Sequence, residues 1–161
     1  MSKKKEFVIE YDFQSSPQLL FQYLSTPSGL SEWFSDDVNY RGEKYTFFWD
    51  DSEEYARVLS KKVNEKIRFQ WINGEPDEEE CFFEFRIQMD EITKDVSLII
   101  TDFSDEDELE EAKLLWDSLI SDLKQVLGSS KFKVISSGEF DHILYFFPKV
   151  LIILFQLLFS L

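Results

Sequence analysis

Between residues 109 and 127 the apolar side chains of Leu109, Ala112, Leu115, Trp116, Leu119, Ile120, Leu123, Val126 and Leu127 recur every three or four positions. That spacing predicts one amphipathic helix of about five turns. A stripe this wide has to be covered, and the segments before it are suited to cover it. Phe7, Ile9, Tyr11 and Phe13 alternate with polar neighbours and read as a strand. Residues 45–49, 55–59, 66–71, 81–87 and 96–101 are also strand-like, separated by short polar turns. The chain is therefore held to an α+β arrangement in which a long closing helix lies on a sheet.

Between the first strand and the rest, Ser16 before Pro17 places an N-cap ahead of a first helical turn, with Leu19, Leu20, Tyr23 and Leu24 at helical spacing. Thr26-Pro27 restarts a second short helix carrying Leu30, Trp33 and Phe34, and residues 35–43 read as a loop. Residues 104–107, Ser-Asp-Glu-Asp, resemble a capping box for the closing helix, and the acids of 105–111 suit its positive end. Gly128-Ser129-Ser130 reads as a helix stop and linker. Residues 1–128 are thus expected to form one domain, and 129–161 a linker with an apolar C-terminal tail.

The chain has 161 residues, with 17 Lys+Arg against 32 Asp+Glu, a formal net charge of −15. Aromatics reach 17%, which excludes intrinsic disorder because there is ample apolar surface to bury. The acid excess excludes nucleic acid as a partner, since phosphate binding needs clustered Lys and Arg. A single cysteine, Cys81, excludes a disulfide framework and fits a cytoplasmic protein; its place in an alternating run predicts a buried, inert thiol. The one histidine, His142, lies in the tail, so a Ser-His-Asp system within the domain is excluded. Acidic clusters such as Asp36-Asp37, Asp50-Asp51 and residues 75–80 lack the spacing of a calcium loop, and no phosphate-binding glycine motif occurs. No metal or cofactor is expected.

Segment 131–161 has three lysines against Glu139 and Asp141, so the acid excess lies wholly in residues 1–130. Residues 143–161 are almost all apolar and near the length that spans a bilayer, but Pro148 and Lys149 interrupt them. A membrane anchor, a helix docked on the domain or a dimer interface, and an aberrant extension are the three readings. Met1-Ser2 and Lys3-Lys4-Lys5 lead into the first strand without an apolar run, which is not the pattern of a secretory signal.

The order β-α-α-β(several)-α and three local motifs resemble the START-like or Bet v allergen superfamily, the helix-grip fold. The likeness is closest to the branch related to the activator of the heat-shock chaperone ATPase. Residues 16–34, with Pro17, Thr26, Pro27, Leu30, Trp33 and Phe34, look like the family's opening. Ala56-Arg57-Val58 followed by residues 66–71 looks like its paired strands ending in Trp71. Trp116, Leu123, Lys124 and Leu127 look like its closing helix. The resemblance implies a curved antiparallel sheet wrapped around the long helix, with a space between them. The polar residues of the family's catalytic members have no counterpart here.

Within that frame, alternation turns Ile67, Phe69, Trp71, Phe83, Phe85, Val96, Leu98 and Ile100 toward the helix, with Trp116, Leu119 and Leu123 as the roof and Trp33 and Phe34 at the mouth. Either this is a packed aromatic core, or it is a partly open apolar pocket for a small ligand. In the second case the candidate ligand-binding residues are Trp33, Phe34, Phe69, Trp71, Phe83, Phe85, Leu98, Trp116, Leu119 and Leu123. Arg68 and Arg86 fall on the opposite, solvent side. The expected function is non-catalytic binding of a hydrophobic small molecule or lipid. The alternative implied by the resemblance is a co-chaperone-type domain that stimulates a chaperone ATPase; an enzyme and a structural homodimer rank behind both.

Overall fold

In the computed structural model, which describes residues 4–72 and 81–132 (129–132 by backbone alone), the strands pair as one antiparallel sheet. Strand β1 (Lys5–Phe13) is followed by helices α1 (Pro17–Ser25) and α2 (Pro27–Leu30). Six strands come next: β2 (Asp37–Arg41), β3 (Lys44–Trp49), β4 (Ser52–Lys62), β5 (Lys66–Trp71), β6 (Phe83–Met89) and β7 (Val96–Ser104). A single 3₁₀ turn (Glu106–Glu108) leads into α3 (Leu109–Phe132). The spatial order is β1-β7-β6-β5-β4-β3-β2, so β2 to β7 form a meander and β1 closes it beside β7. A register shift between Val58 and Ser60 breaks the β4–β5 ladder, a bulge that bends the strand. This is the expected helix-grip α+β fold.

Helix α3 crosses the inner face in the direction of β1 and against β7. Near its start the Trp116 indole donates to the Asp102 carboxylate (2.9 Å), and Tyr11 donates to Asp117 (2.6 Å). Near its end the Lys124 ammonium lies 5.3 Å from the Phe13 ring centroid. The buried residues of β1, β3, β5, β6 and β7 and of α3 form one continuous core with α1 and α2.

Local chemistry explains most boundaries. Ser16 Oγ accepts from the Leu19 amide (3.1 Å) and caps α1. Thr26 Oγ1 accepts from the Gly29 amide (3.0 Å) and caps α2. Gly29 is obligatory: a Cβ there would lie 2.4 Å from the Gln22 carbonyl oxygen and 2.6 Å from the Tyr23 Cα. Only glycine lets α2 approach α1 this closely. Gly42, at φ +66°, makes the turn between β2 and β3.

Four expectations need correction. Residues 35–43 are not a loop throughout, because Asp37–Arg41 form edge strand β2, whose one buried residue is Val38. A polar edge strand shows almost no apolar alternation, and its pairing to β3 decides it. Helix α2 stops at Leu30; Trp33 and Phe34 sit on the turn after it, their amides bonded back to the Leu30 carbonyl. The capping box is not made: Ser104 ends β7 with its hydroxyl donating to the Asp105 carbonyl, and Asp105 precedes a 3₁₀ turn without a side-chain cap. Finally, α3 runs through Gly128-Ser129-Ser130 to Phe132. A helix-interior glycine costs only about 1 kcal/mol, and Gly128 does not adopt the left-handed backbone that a stop requires. The tail readings for 143–161 lie outside the described residues.

Candidate functional site

The ten residues singled out from the sequence converge on one place, the space between the inner sheet face and α3. Phe69, Phe83 and Phe85 reach it from β5 and β6 and Leu98 from β7, all essentially without solvent contact. Trp116, Leu119 and Leu123 close it from α3. Trp71, at the end of β5, is half-buried and stacks on Phe83 at 4.9 Å between ring centroids.

Trp33 and Phe34 are not at a mouth but in the middle. Phe34 lies stacked against Phe83 on the sheet (5.9 Å) and Trp116 on the helix (6.2 Å), with Phe47 edge-on at 5.1 Å. Trp33 packs on Phe85 at 5.7 Å. Such offset and edge-to-face pairs add about 0.5–1.5 kcal/mol each to their burial. The ring that fills the space beneath Trp116 thus comes from a turn after a four-residue helix, not from the sheet or α3. Indole and backbone bonds fix that turn: Trp33 Nε1 donates to the Tyr23 carbonyl (2.9 Å) and Trp49 Nε1 to the Phe34 carbonyl (3.2 Å).

Two acids lie on the inner parity of the sheet: Glu54 on β4, partly buried opposite Phe47, and Asp102 on β7. In β7, Leu98, Ile100, Asp102 and Ser104 alternate inward. Asp102 pairs with Phe7 on β1, accepts from Trp116 Nε1 through Oδ2 (2.9 Å) and from the Phe103 amide through Oδ1 (2.8 Å). Burial pushes its pKa from 3.8 up to about 6, against the opposing pull of these two hydrogen bonds and the charge of Lys4. The sequence signal was a lone Asp breaking an inward aliphatic series, and reading residues 96–101 as the whole strand missed it. Tyr11, half-buried beside Asp117, has its pKa raised by burial and then by that hydrogen bond. Tyr45, buried and donating to the Ser25 carbonyl (2.8 Å), is pushed up to about 12 by burial and then by Tyr40.

The outer face is charged. Glu84 is almost fully buried there, gripped by Arg68 (Nε to Oε2, 2.8 Å) and Arg86 (Nη2 to Oε1, 3.1 Å), and Arg68 lies over the Phe82 ring at 3.9 Å. Arg57 makes a forked contact with Gln70 Oε1 (3.0 and 2.6 Å). The arginines lie opposite the apolar series as expected, although Arg68 is only one-third exposed because it covers Glu84. Cys81 precedes β6 and is partly exposed, a correction to the buried thiol expected from alternation. An open groove of about 720 Å³ lies at the far end of α3, between Phe13, Val96, Lys124 and Leu127, and none of the ten residues lines it. Among the described residues no three His, Cys, Asp or Glu side chains are grouped to hold a metal ion, and no helix is long and apolar enough to cross a membrane.

Comparison with known proteins supports the same architecture. A family described as a START-like superfamily domain matches residues 1–129. The Aha1 dimer of Colwellia psychrerythraea, determined in solution, is similar with a TM-score of 0.66 and 18% identity, over 76% of this chain and 96% of that one. BfR322 from Bacteroides fragilis is 31% identical over 87% of this chain and 97% of that one, with a TM-score of 0.55. MLL2253 from Mesorhizobium loti has a TM-score of 0.64 and 18% identity, over 78% and 98%. No curated protein sequence matches the chain.

Proposed function

Because the chain belongs to the START-like superfamily, we propose that the space between its inner sheet face and α3 binds a hydrophobic small molecule or lipid. The observation that carries this reading is the position of Phe34. A ring held on a short turn fills the centre of the space, so a ligand could replace it without unpairing a strand or lifting α3. Trp33, Phe69, Trp71, Phe83, Phe85, Leu98, Trp116, Leu119 and Leu123 would line the space once Phe34 moves. The reading is of a binding module rather than an enzyme, acting in the cytoplasm. Purified protein mixed with a series of long-chain lipids tests it. Native mass spectrometry should show a one-to-one complex, and the ligand should raise the melting temperature, because it binds the folded state alone. No complex and no thermal shift across the series would remove the proposal.

A second reading is a co-chaperone-type interaction domain that stimulates a chaperone ATPase. It is supported by the filling of the same interior with the protein's own rings, and by an acid excess suited to a basic partner surface. Stimulation of a chaperone's ATP hydrolysis by the full chain, undiminished in a Phe34→Ala variant, would favour it over the first. Under that reading the similarity to an Aha1 dimer also makes self-association a measurable property, settled by light scattering.

A further inference from the structure

We propose that Asp102 is the polar anchor of the inner-face site, and that its ligand is an amphiphile bearing an ammonium group at one end of an apolar body. This rests on the binding reading above and names the chemistry of what would bind.

Most of the inner face is carbon, and its polar side chains besides Asp102 include Tyr11, Tyr45, Ser104 and, opposite Phe47 on β4, Glu54. Asp102 stands beside Trp116, about two turns into α3, where that ring closes the space, with Phe7 beside it on β1. An ionised carboxylate offers about four acceptor positions. The Trp116 indole and the Phe103 amide occupy one on each oxygen. Both donors are neutral, so they orient the group without cancelling its charge. Asp102 keeps some solvent contact, and the burial of the rest of the carboxylate raises its pKa, because a charge leaves water at a cost unless it is paired. Lys4, just before β1, is the positive charge that acts on it, and it does not offset the burial. An ammonium entering along the ring-lined space would meet Asp102 while its hydrocarbon replaced Phe34 against Phe83 and Trp116. A fatty carboxylate would instead bring a second negative charge to the same place.

The competing explanation is that Asp102 only orients the Trp116 ring, and competition binding separates the two. Nile red, neutral and without N–H donors, serves as the probe, and decylamine and decanol compete for it at pH 7.5. The wild-type protein should release the probe at an amine concentration about tenfold below that of the alcohol, the factor expected of a charge-assisted hydrogen bond. In Asp102→Asn the two competitors should become nearly equal. That variant changes the net charge by one, so the general attraction of an acidic surface for amines persists in it. Probe binding with equal competition by amine and alcohol in the wild type overturns the Asp102 proposal and leaves the binding reading standing. Failure of Nile red and both competitors to bind removes the binding reading itself. Should Asp102→Asn fail to fold, carboxyl NMR of the wild type decides. Decylamine should lower the Asp102 pKa by about one unit or more, and an unchanged value contradicts the proposal.

Discussion

The two faces of the one sheet are built from alternate residues of the same strands, yet they solve opposite problems. On β5 and β6 the inner series Ile67, Phe69, Phe83 and Phe85 is closed to water, while the outer series runs Arg68, Gln70, Glu84 and Arg86. The inner face gains by excluding water from carbon, at about 25 cal/mol per Å². The outer face also buries Gln70 and Glu84, and it holds Glu84 with two guanidiniums, because a charge leaves water only when its partners replace the lost hydration. Burial alone therefore does not identify the inner face as the functional side. What supports the proposed binding there is that its central ring is borne on a turn and that Asp102 on β7 accepts from two neutral donors.

Removing an inner ring should have the largest effect. Phe85→Ala should lower the unfolding free energy by about 3–5 kcal/mol, read from urea denaturation. Gly29→Ala tests how the turn is held: forcing α2 away from α1 should destabilise by about 1–3 kcal/mol and raise Trp33 exposure in fluorescence quenching. On the outer face, Glu84→Ala should cost about 1–2 kcal/mol, because both arginines keep some access to water. A loss as large as that of Phe85→Ala would break the contrast between the faces. Val8→Thr, on exposed outer surface of β1, should change stability by less than about 0.5 kcal/mol.

Asp102 gives the comparison a pH axis. Folding raises its pKa from 3.8 to about 6, so the folded protein holds this proton more tightly than the unfolded chain does. Its contribution is most favourable below about pH 4 and is lost as pH rises through about 6. Relative to Asp102→Asn, the wild type should therefore lose on the order of 1–2 kcal/mol between pH 4 and 7. A difference that is flat with pH would mean that this carboxylate is not held in an apolar setting.

Much of this was legible in the sequence, and the misses have physical causes. Strong periodicity revealed β1, β5, β6 and α3, and capping chemistry revealed α1 through Ser16 and Pro17. Strand β2 was hidden because an edge strand with Val38 as its one buried residue carries no alternation, and neighbouring β3 decides its state. Eight of the ten inner residues were legible because sheet period and helix period both point inward, while Trp33 and Phe34 lie on a turn after α2 and follow neither period. The mutual contact of the ten was not legible. Whether Phe34 stands at the rim or fills the centre depends on the close approach of α2 to α1 at Gly29, a three-dimensional fact with no local signature. Asp102 escaped because the strand was read as ending at residue 101, just before it, whereas β7 runs on to Ser104.

The most direct test of the inner face as the functional side is methyl NMR during titration with decylamine. The account expects the methyl resonances of Leu98, Leu119 and Leu123 to shift and saturate together, while those of Val8 and Leu59 stay in place. Shifts confined to Val8 and Leu59, or no saturable shift at the inner methyls, would contradict it.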